Sequence, residues 1–225
     1  IGGAGNIGIE TILLANDAGY ETVSFDTKKS KFATHSKLVD ISDQEQLRNA
    51  FKGIKHINAL VCLAEINYQI NIENLSWKSW KRVMEVNVRG TMLSLKYASN
   101  LLQKGSAIVL KTSVIENAGE SGYLTYQTSK GAVLGLMRAA SGGFAERDIR
   151  VNAICSNIIN LTTNNSIASD HISEHKTANM KAQNDNDKIV KSKEIAEGIM
   201  FLISADASFI TGTELVLESN LWINQ

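Results

Sequence analysis

The feature that most restricts what this chain can fold into is a repeated exchange between two hydrophobic patterns. Short β-branched runs at residues 22–26, 37–41, 57–63, 107–112, 149–155 and 214–217 alternate with longer stretches at 7–18, 44–51, 77–102, 126–146 and 193–202. In the longer stretches apolar residues recur every three or four positions, as on one face of a helix. Strands that alternate with helices pair in parallel, because a parallel pair needs a crossover long enough to hold a helix. The expected fold is therefore α/β: a Rossmann-type doubly wound parallel sheet.

A chain of 225 residues is large enough for one such core, so residues 1–225 are read as a single domain. From about 156 to 191 the composition turns polar, rich in Asn, Ser, Thr and Asp, and reads as a substrate loop or lid. A glycine loop of the dinucleotide-binding kind needs a strand feeding into it, yet the glycines begin at once after Ile1. The first strand is expected to be missing from the given chain.

Charge excludes some partners. Lys plus Arg number 23 and Asp plus Glu number 23, which leaves no basic excess for a nucleic acid or an anionic membrane. No apolar run reaches the roughly 18 residues of a membrane span, and no leader pattern is visible, so a cytoplasmic location is expected. Cys62 and Cys155 each lie in an apolar run without metal-ligand or C-x-x-C spacing, and read as buried thiols in a reducing compartment; no metal is expected. Proline is absent, where average usage of about 5% would give about 11, and nothing physical accounts for this.

Ile1-Gly2-Gly3-Ala4-Gly5-Asn6-Ile7-Gly8 runs directly into a helical pattern. Glycines there let backbone N–H groups approach a pyrophosphate at the positive end of a helix. Asp26 ends the next strand 18 residues after Gly8, close to the spacing of about 20 at which a carboxylate accepts hydrogen bonds from a ribose diol. A carboxylate there repels a 2′-phosphate, which favours NAD over NADP; Lys28 and Lys29, just beyond it, are the features that would suit NADP instead. The bland alternative is a glycine turn joining strand to helix, with Asp26 capping the next turn.

Tyr126-Gln127-Thr128-Ser129-Lys130 places a phenol and an ammonium four residues apart, on one face of a helix. A free phenol titrates near pH 10, and a neighbouring cation favours its ionised form. Lys130, with an oxidised nicotinamide, would draw Tyr126 toward working pH, so that Tyr126 could give or take an alcohol proton. Ser113 ends a strand, where its hydroxyl could hold the reacting oxygen, and Asn87 lies within a helical stretch. Taken singly, each has a structural explanation.

Taken together these residues resemble the short-chain dehydrogenase/reductase family. The resemblance rests on the glycine loop, Val86-Asn87-Val88-Arg89-Gly90, Ser113, Tyr126 to Lys130, Ile149-Arg150-Val151-Asn152-Ala153-Ile154 and Phe209-Ile210-Thr211-Gly212, in order along nearly the whole chain. It implies a catalytic set of Asn87, Ser113, Tyr126 and Lys130. Tyr126 would be the acid/base, Lys130 would bind the nicotinamide ribose, Ser113 would orient substrate and Asn87 would hold a relay water. Cofactor binding would fall to Gly2, Gly5, Asn6, Ile7, Gly8, Asp26, Asp40, Ile41 and Ala64, with Tyr126 and Lys130; Asp40 would meet the adenine. The short interval between 26 and 37 implies that the usual intervening helix is reduced to a turn.

The departures cluster in the cofactor shell. Ile1 replaces the family Thr, Asn6 the middle glycine, Ser156-Asn157 the usual P-G, Glu218-Ser219-Asn220 the D-G-G turn, and Cys62-Leu63-Ala64-Glu65 stands in place of N-N-A-G. Glu65 brings bulk and negative charge where the family has glycine. The leading expectation is an oxidoreductase passing a hydride between NAD(H) and a carbonyl or secondary alcohol of a small, polar substrate. It would be assembled as a homodimer or homotetramer through the 77–102 and 126–146 helices. A catalytically silent nucleotide-binding or scaffold protein of the same fold is the alternative, and epimerisation or dehydration with the same Tyr and Lys is a third.

Overall fold

The structure is a computed structural model that describes residues 1–113, 121–156 and 190–217. In chain order the elements are α1 (Asn6–Asp17), β1 (Val23–Asp26), β2 (His35–Leu38), α2 (Gln44–Ala50), β3 (Ile57–Cys62), α3 (Trp77–Val83), α4 (Thr91–Ala98), β4 (Leu102–Ser113), α5 (Leu124–Phe144), β5 (Arg150–Ser156), α6 (Ser192–Ile203) and β6 (Glu214–Leu217). Every strand pairing is parallel, in the orders β1-β2 and β3-β4-β5-β6. Most of the expected 156–191 segment lies outside the described residues, as does Glu218-Ser219-Asn220.

Successive side chains of a strand face opposite ways, and this builds two cores. Ile108, Leu110, Val151 and Ala153 point into one, with Leu47, Leu93, Val133 and Met137 from α2, α4 and α5. Val109 and Ile154 point into the other, with Ile195, Ile199 and Leu202 of α6. Fully buried aliphatic side chains of this kind contribute about 1.5–3 kcal/mol each. Cys62 and Cys155 are both buried and not disulfide-bonded.

No helix separates β1 from β2, and the chain between them runs through bends, as the short interval implies. The single helix expected over 77–102 is a correction. It is α3, then a π-helical turn over Met84–Gly90, then α4 and a short 3-10 turn over Ser99–Leu101, and β4 begins at Leu102 rather than at Ala107. The early strand start includes a register shift against β3 and Gly105 at φ +83, a left-handed conformation that a glycine adopts without strain. Neither the bulge nor the π-turn has a clear hydrophobic period.

The expected strand ahead of the glycine loop is represented by two residues that bridge the sheets. Gly2 N donates to Phe25 O of β1 at 2.8 Å, Ile1 N donates to Val61 O of β3 at 2.7 Å, and Leu63 N donates to Ile1 O at 2.9 Å. Beyond them, among the described residues, β1 pairs only with β2 and β3 only with β4, so both turn an edge to a cleft of about 720 Å³. Ile12, Ala15, Phe25, Phe51, Leu60 and Ile203 line it. An added extended segment of about five alternating apolar residues before Ile1 is expected to enter as a strand. Thermal denaturation should then show a Tm higher by roughly 5 °C or more; an unchanged Tm would mean the cleft rejects a strand.

Two of the family-like segments turn out to serve this architecture. Asn152 on β5 donates from Nδ2 to Ile210 O at 2.8 Å and accepts from Thr213 N at 3.1 Å. Thr211 Oγ1 accepts from Val151 N, and Gly212 N donates to Val151 O. The 149–154 and 209–212 segments therefore pin each other and set the register of β6.

Candidate active site

In an open parallel sheet, ligands bind outside the carboxyl ends of the strands. β1 ends at Asp26, β3 runs out through Ala64 to Glu65, and β4 and β5 end in register at Ser113 and Ser156. α5 begins just beyond, and its first two turns carry Tyr126 and Lys130, 3% exposed each. The helical spacing does bring them to one side, with Lys130 Nζ 5.5 Å from the centre of the Tyr126 ring. The Ser113 hydroxyl hydrogen-bonds Tyr126. Ser156 Oγ, buried beside Ser113, has no hydrogen-bond partner among the described residues and is a polar atom that a ligand could meet.

Asn87 is placed by the π-turn, a device that often re-aims a side chain at a functional site. Its Oδ1 accepts from Ile66 N at 2.8 Å, and its Nδ2 donates to Ile66 O at 2.9 Å and to Ser129 Oγ at 2.9 Å. It thereby clamps the segment after β3 to α5, and a relay-water role would have to share an amide already engaged.

Glu65 sits at the centre of the constellation. Its Oε2 lies 2.5 Å from Lys130 Nζ and accepts from Tyr126 OH at 3.1 Å, while its Oε1 accepts from Lys111 Nζ at 2.7 Å. Lys111 stands on β4, 7% exposed, and its carbonyl accepts from Lys130 Nζ at 2.9 Å. Burial alone would raise the Glu65 carboxyl; Lys111 and then Lys130 outweigh it and bring it down to about 2. The expectation that Lys130 draws the phenol toward working pH is not what this arrangement gives. Burial, then the Glu65 charge and hydrogen bond, push Tyr126 well above its usual value, with Ser113 pulling the other way. The ammonium faces the phenol, but its charge is neutralised by a carboxylate between them.

The glycine loop fits a dinucleotide's pyrophosphate. Gly2 holds φ +81 with any Cβ 2.5 Å from Ala64 N, and a Cβ on Gly8 would come 2.2 Å from Gly2 O. Side chains are thus excluded where the loop packs beneath α1, whose N-cap Gly5 offers no side-chain cap to the first turn. Asn6 and Ile7 open that turn. Asp26 reaches the loop, accepting from Ala4 N at 2.9 Å and Lys28 N at 3.1 Å. Asp40 accepts from Ser42 N and Oγ and from Arg82 Nη2 at 3.0 Å, and these partners hold its carboxyl below the usual range against the opposing effect of burial. Ile41 is buried against Gly90, where a Cβ would stand 2.7 Å from its Cδ1, so its side chain is a packing element. At the nicotinamide end the fit fails with Glu65 where it stands, because its carboxylate occupies the place between the Tyr126 hydroxyl and the Lys130 ammonium and sets a negative charge there. Lys111 and Ser129 were not singled out by sequence; a lysine inside the apolar run of β4 was the available signal for the first.

The same fold occurs in known proteins. The family model described as enoyl-(acyl carrier protein) reductase matches residues 7–219. The chain belongs to the short-chain dehydrogenase/reductase family. It is 27% identical to short-chain dehydrogenase reductase 3a of Arabidopsis thaliana, over 96% of this chain and 91% of that protein. It is 30% identical to cyclohexanol dehydrogenase of Acinetobacter sp. (strain SE19), over 69% of this chain and 59% of the relative. Among solved family structures, the ligand-free aldohexose dehydrogenase of Thermoplasma acidophilum superposes with a TM-score of 0.87 at 26% identity, covering all of this chain and 92% of the other. Its relatives in the family are dehydrogenases and reductases, and among the described residues no helix is long and apolar enough to cross a membrane.

Proposed function

We propose that this short-chain dehydrogenase/reductase interconverts a carbonyl and a secondary alcohol on a small polar substrate, using NAD(H), with Tyr126 giving or taking the oxygen-bound proton. The observation that carries this reading is the convergence of the Tyr126, Ser113 and Lys130 side chains, all buried, on the carboxyl edge of β4 beside the glycine loop. A bound nicotinamide would supply or accept the hydride. Ser113 would hold the substrate oxygen in line with the phenol, and Gly2, Gly5, Asn6, Ile7, Gly8, Asp26 and Ala64 would carry the dinucleotide. Two relatives bear names that fit an alcohol-bearing carbon, cyclohexanol dehydrogenase and aldohexose dehydrogenase, and the second supports a hydroxylated substrate. A homodimer or homotetramer is the proposed assembly.

NAD is preferred because Asp26 sits at the tip of β1, bonded to the loop, while Lys28 and Lys29 are exposed beyond it. Titrating purified protein with NADH and NADPH, followed by reduced-cofactor fluorescence, is expected to show NADH binding at least about tenfold tighter. Asp26→Ser should erase most of that preference. Binding of neither cofactor would end the oxidoreductase reading and leave the second one, a catalytically silent scaffold, which the Glu65–Lys130 contact favours.

A further inference from the structure

We propose that Glu65, anchored by Lys111, is a positioning residue that locks Tyr126 and Lys130 in the cofactor-free protein, and that it must swing away before a nicotinamide dinucleotide can engage Lys130. The proposal rests on the oxidoreductase reading above. Its two halves come from the two oxygens of one carboxylate: Oε1 is tied to Lys111, and Oε2 to Lys130 and Tyr126. The two sets of partners are therefore separable. Rotation about the Lys111 contact would release Lys130 and Tyr126 without leaving Lys111, which is nearly buried, as an unpaired ammonium.

Burial and secondary structure are distributed the right way for such a motion. Tyr126 and Lys130 are buried on α5, and Lys111 on β4. Glu65 alone stands on a stretch without helix or strand, over residues 63–71, and its side chain keeps 26% of its surface open to solvent. The Glu65 side chain thus borders solvent, and its partners are closed off from it. Asn87 marks the limit of the moving piece, because it bonds both the N–H and the C=O of Ile66. Motion is confined to the Glu65 side chain and its approach, so the glycine loop and Tyr126 stay in place. Closed, the lock keeps the phenol protonated and the ammonium neutralised; open, it restores the phenol–ammonium pair that the chemistry requires.

The test compares wild type, Glu65→Gln and the double variant Glu65→Gly with Lys111→Leu, which removes the carboxylate together with the Lys111 ammonium that anchors it and keeps the backbone carbonyl at 111 that accepts from Lys130. NADH affinity is read by fluorescence titration. The second readout needs no cofactor: the absorbance titration of Tyr126, isolated by subtracting the trace of the matching Tyr126→Phe protein. The groups that bear on that phenol are Glu65, Lys111, Lys130, Ser113 and the Cys155 thiol. The double variant is expected to bind NADH about tenfold tighter than wild type, and its Tyr126 to ionise at least about one pH unit lower. Glu65→Gln should fall between. Equal affinities across the three proteins, or an unmoved tyrosine titration, would overturn the lock and leave the oxidoreductase reading standing. Failure of every variant to bind NADH or NADPH would overturn both.

Discussion

Replacing Tyr126 with Phe is expected to lower turnover by about 10²- to 10⁴-fold, while the protein folds and binds cofactor as before. The range is what a positioned acid or base contributes when proton transfer accompanies the chemical step. The substitution keeps the ring packed at the start of α5 and removes only the hydroxyl, whose partners are Glu65 Oε2 and Ser113. Glu65 still has two lysines to satisfy it, so the structural cost is about one hydrogen bond, roughly 1 kcal/mol, or a Tm shift of about 2–4 °C. The measurement is steady-state kinetics over a panel of carbonyls and secondary alcohols, with NADH binding followed in parallel. A variant that binds NADH and turns over at the wild-type rate would remove Tyr126 from the chemistry. Loss of cofactor binding together with turnover would instead mark its hydroxyl as a cofactor contact first.

What the sequence could show of this protein, and what it could not, follows from which interactions leave a local pattern. The alternation of periods gave the parallel α/β order, because strand and helix spacing is written residue by residue. All six strands and the helices α1, α2, α5 and α6 lie where the pattern placed them, within a few residues at their ends. The π-turn at Met84–Gly90 and the bulge near Ala107 were invisible, since each changes hydrogen-bond partners without changing hydrophobicity. The juxtaposition of Tyr126 and Lys130 was legible because it is a helix-face relation. Glu65 was legible as an intruder in the cofactor shell, but its partners were not: Lys111 lies 46 residues away on another strand. Only the sheet register brings that lysine to the same end as the carboxylate. The upward shift of Tyr126 in the cofactor-free arrangement was therefore not legible, because the sequence supplied the cation and could not supply the anion between them.

The Glu65–Lys111 pair also makes a large, pH-dependent contribution to stability, and its sign can be worked out. The Glu65 carboxyl is held at about 2 in the folded protein against an ordinary value of 4.5. A lowered value means the folded state binds the carboxylate form better than the unfolded state does, so the stabilisation is fully present above pH 4.5 and drains away as pH falls toward 2. The shift corresponds to about 3 kcal/mol. Glu65→Gln should therefore cost about 3 kcal/mol near neutral pH, because it takes the carboxylate away from Lys111 and Lys130, both nearly buried. In urea unfolding followed from pH 7 down to pH 2.5, the gap between wild type and variant should narrow steadily below pH 4.5. Adding Lys111→Leu to Glu65→Gln should recover the share of the loss that belongs to Lys111, since an apolar side chain on β4 needs no partner in that core, while the share that belongs to Lys130 remains. A gap that stays constant with pH, or a double variant no more stable than Glu65→Gln alone, would show that the carboxylate is not what keeps the lysine inside.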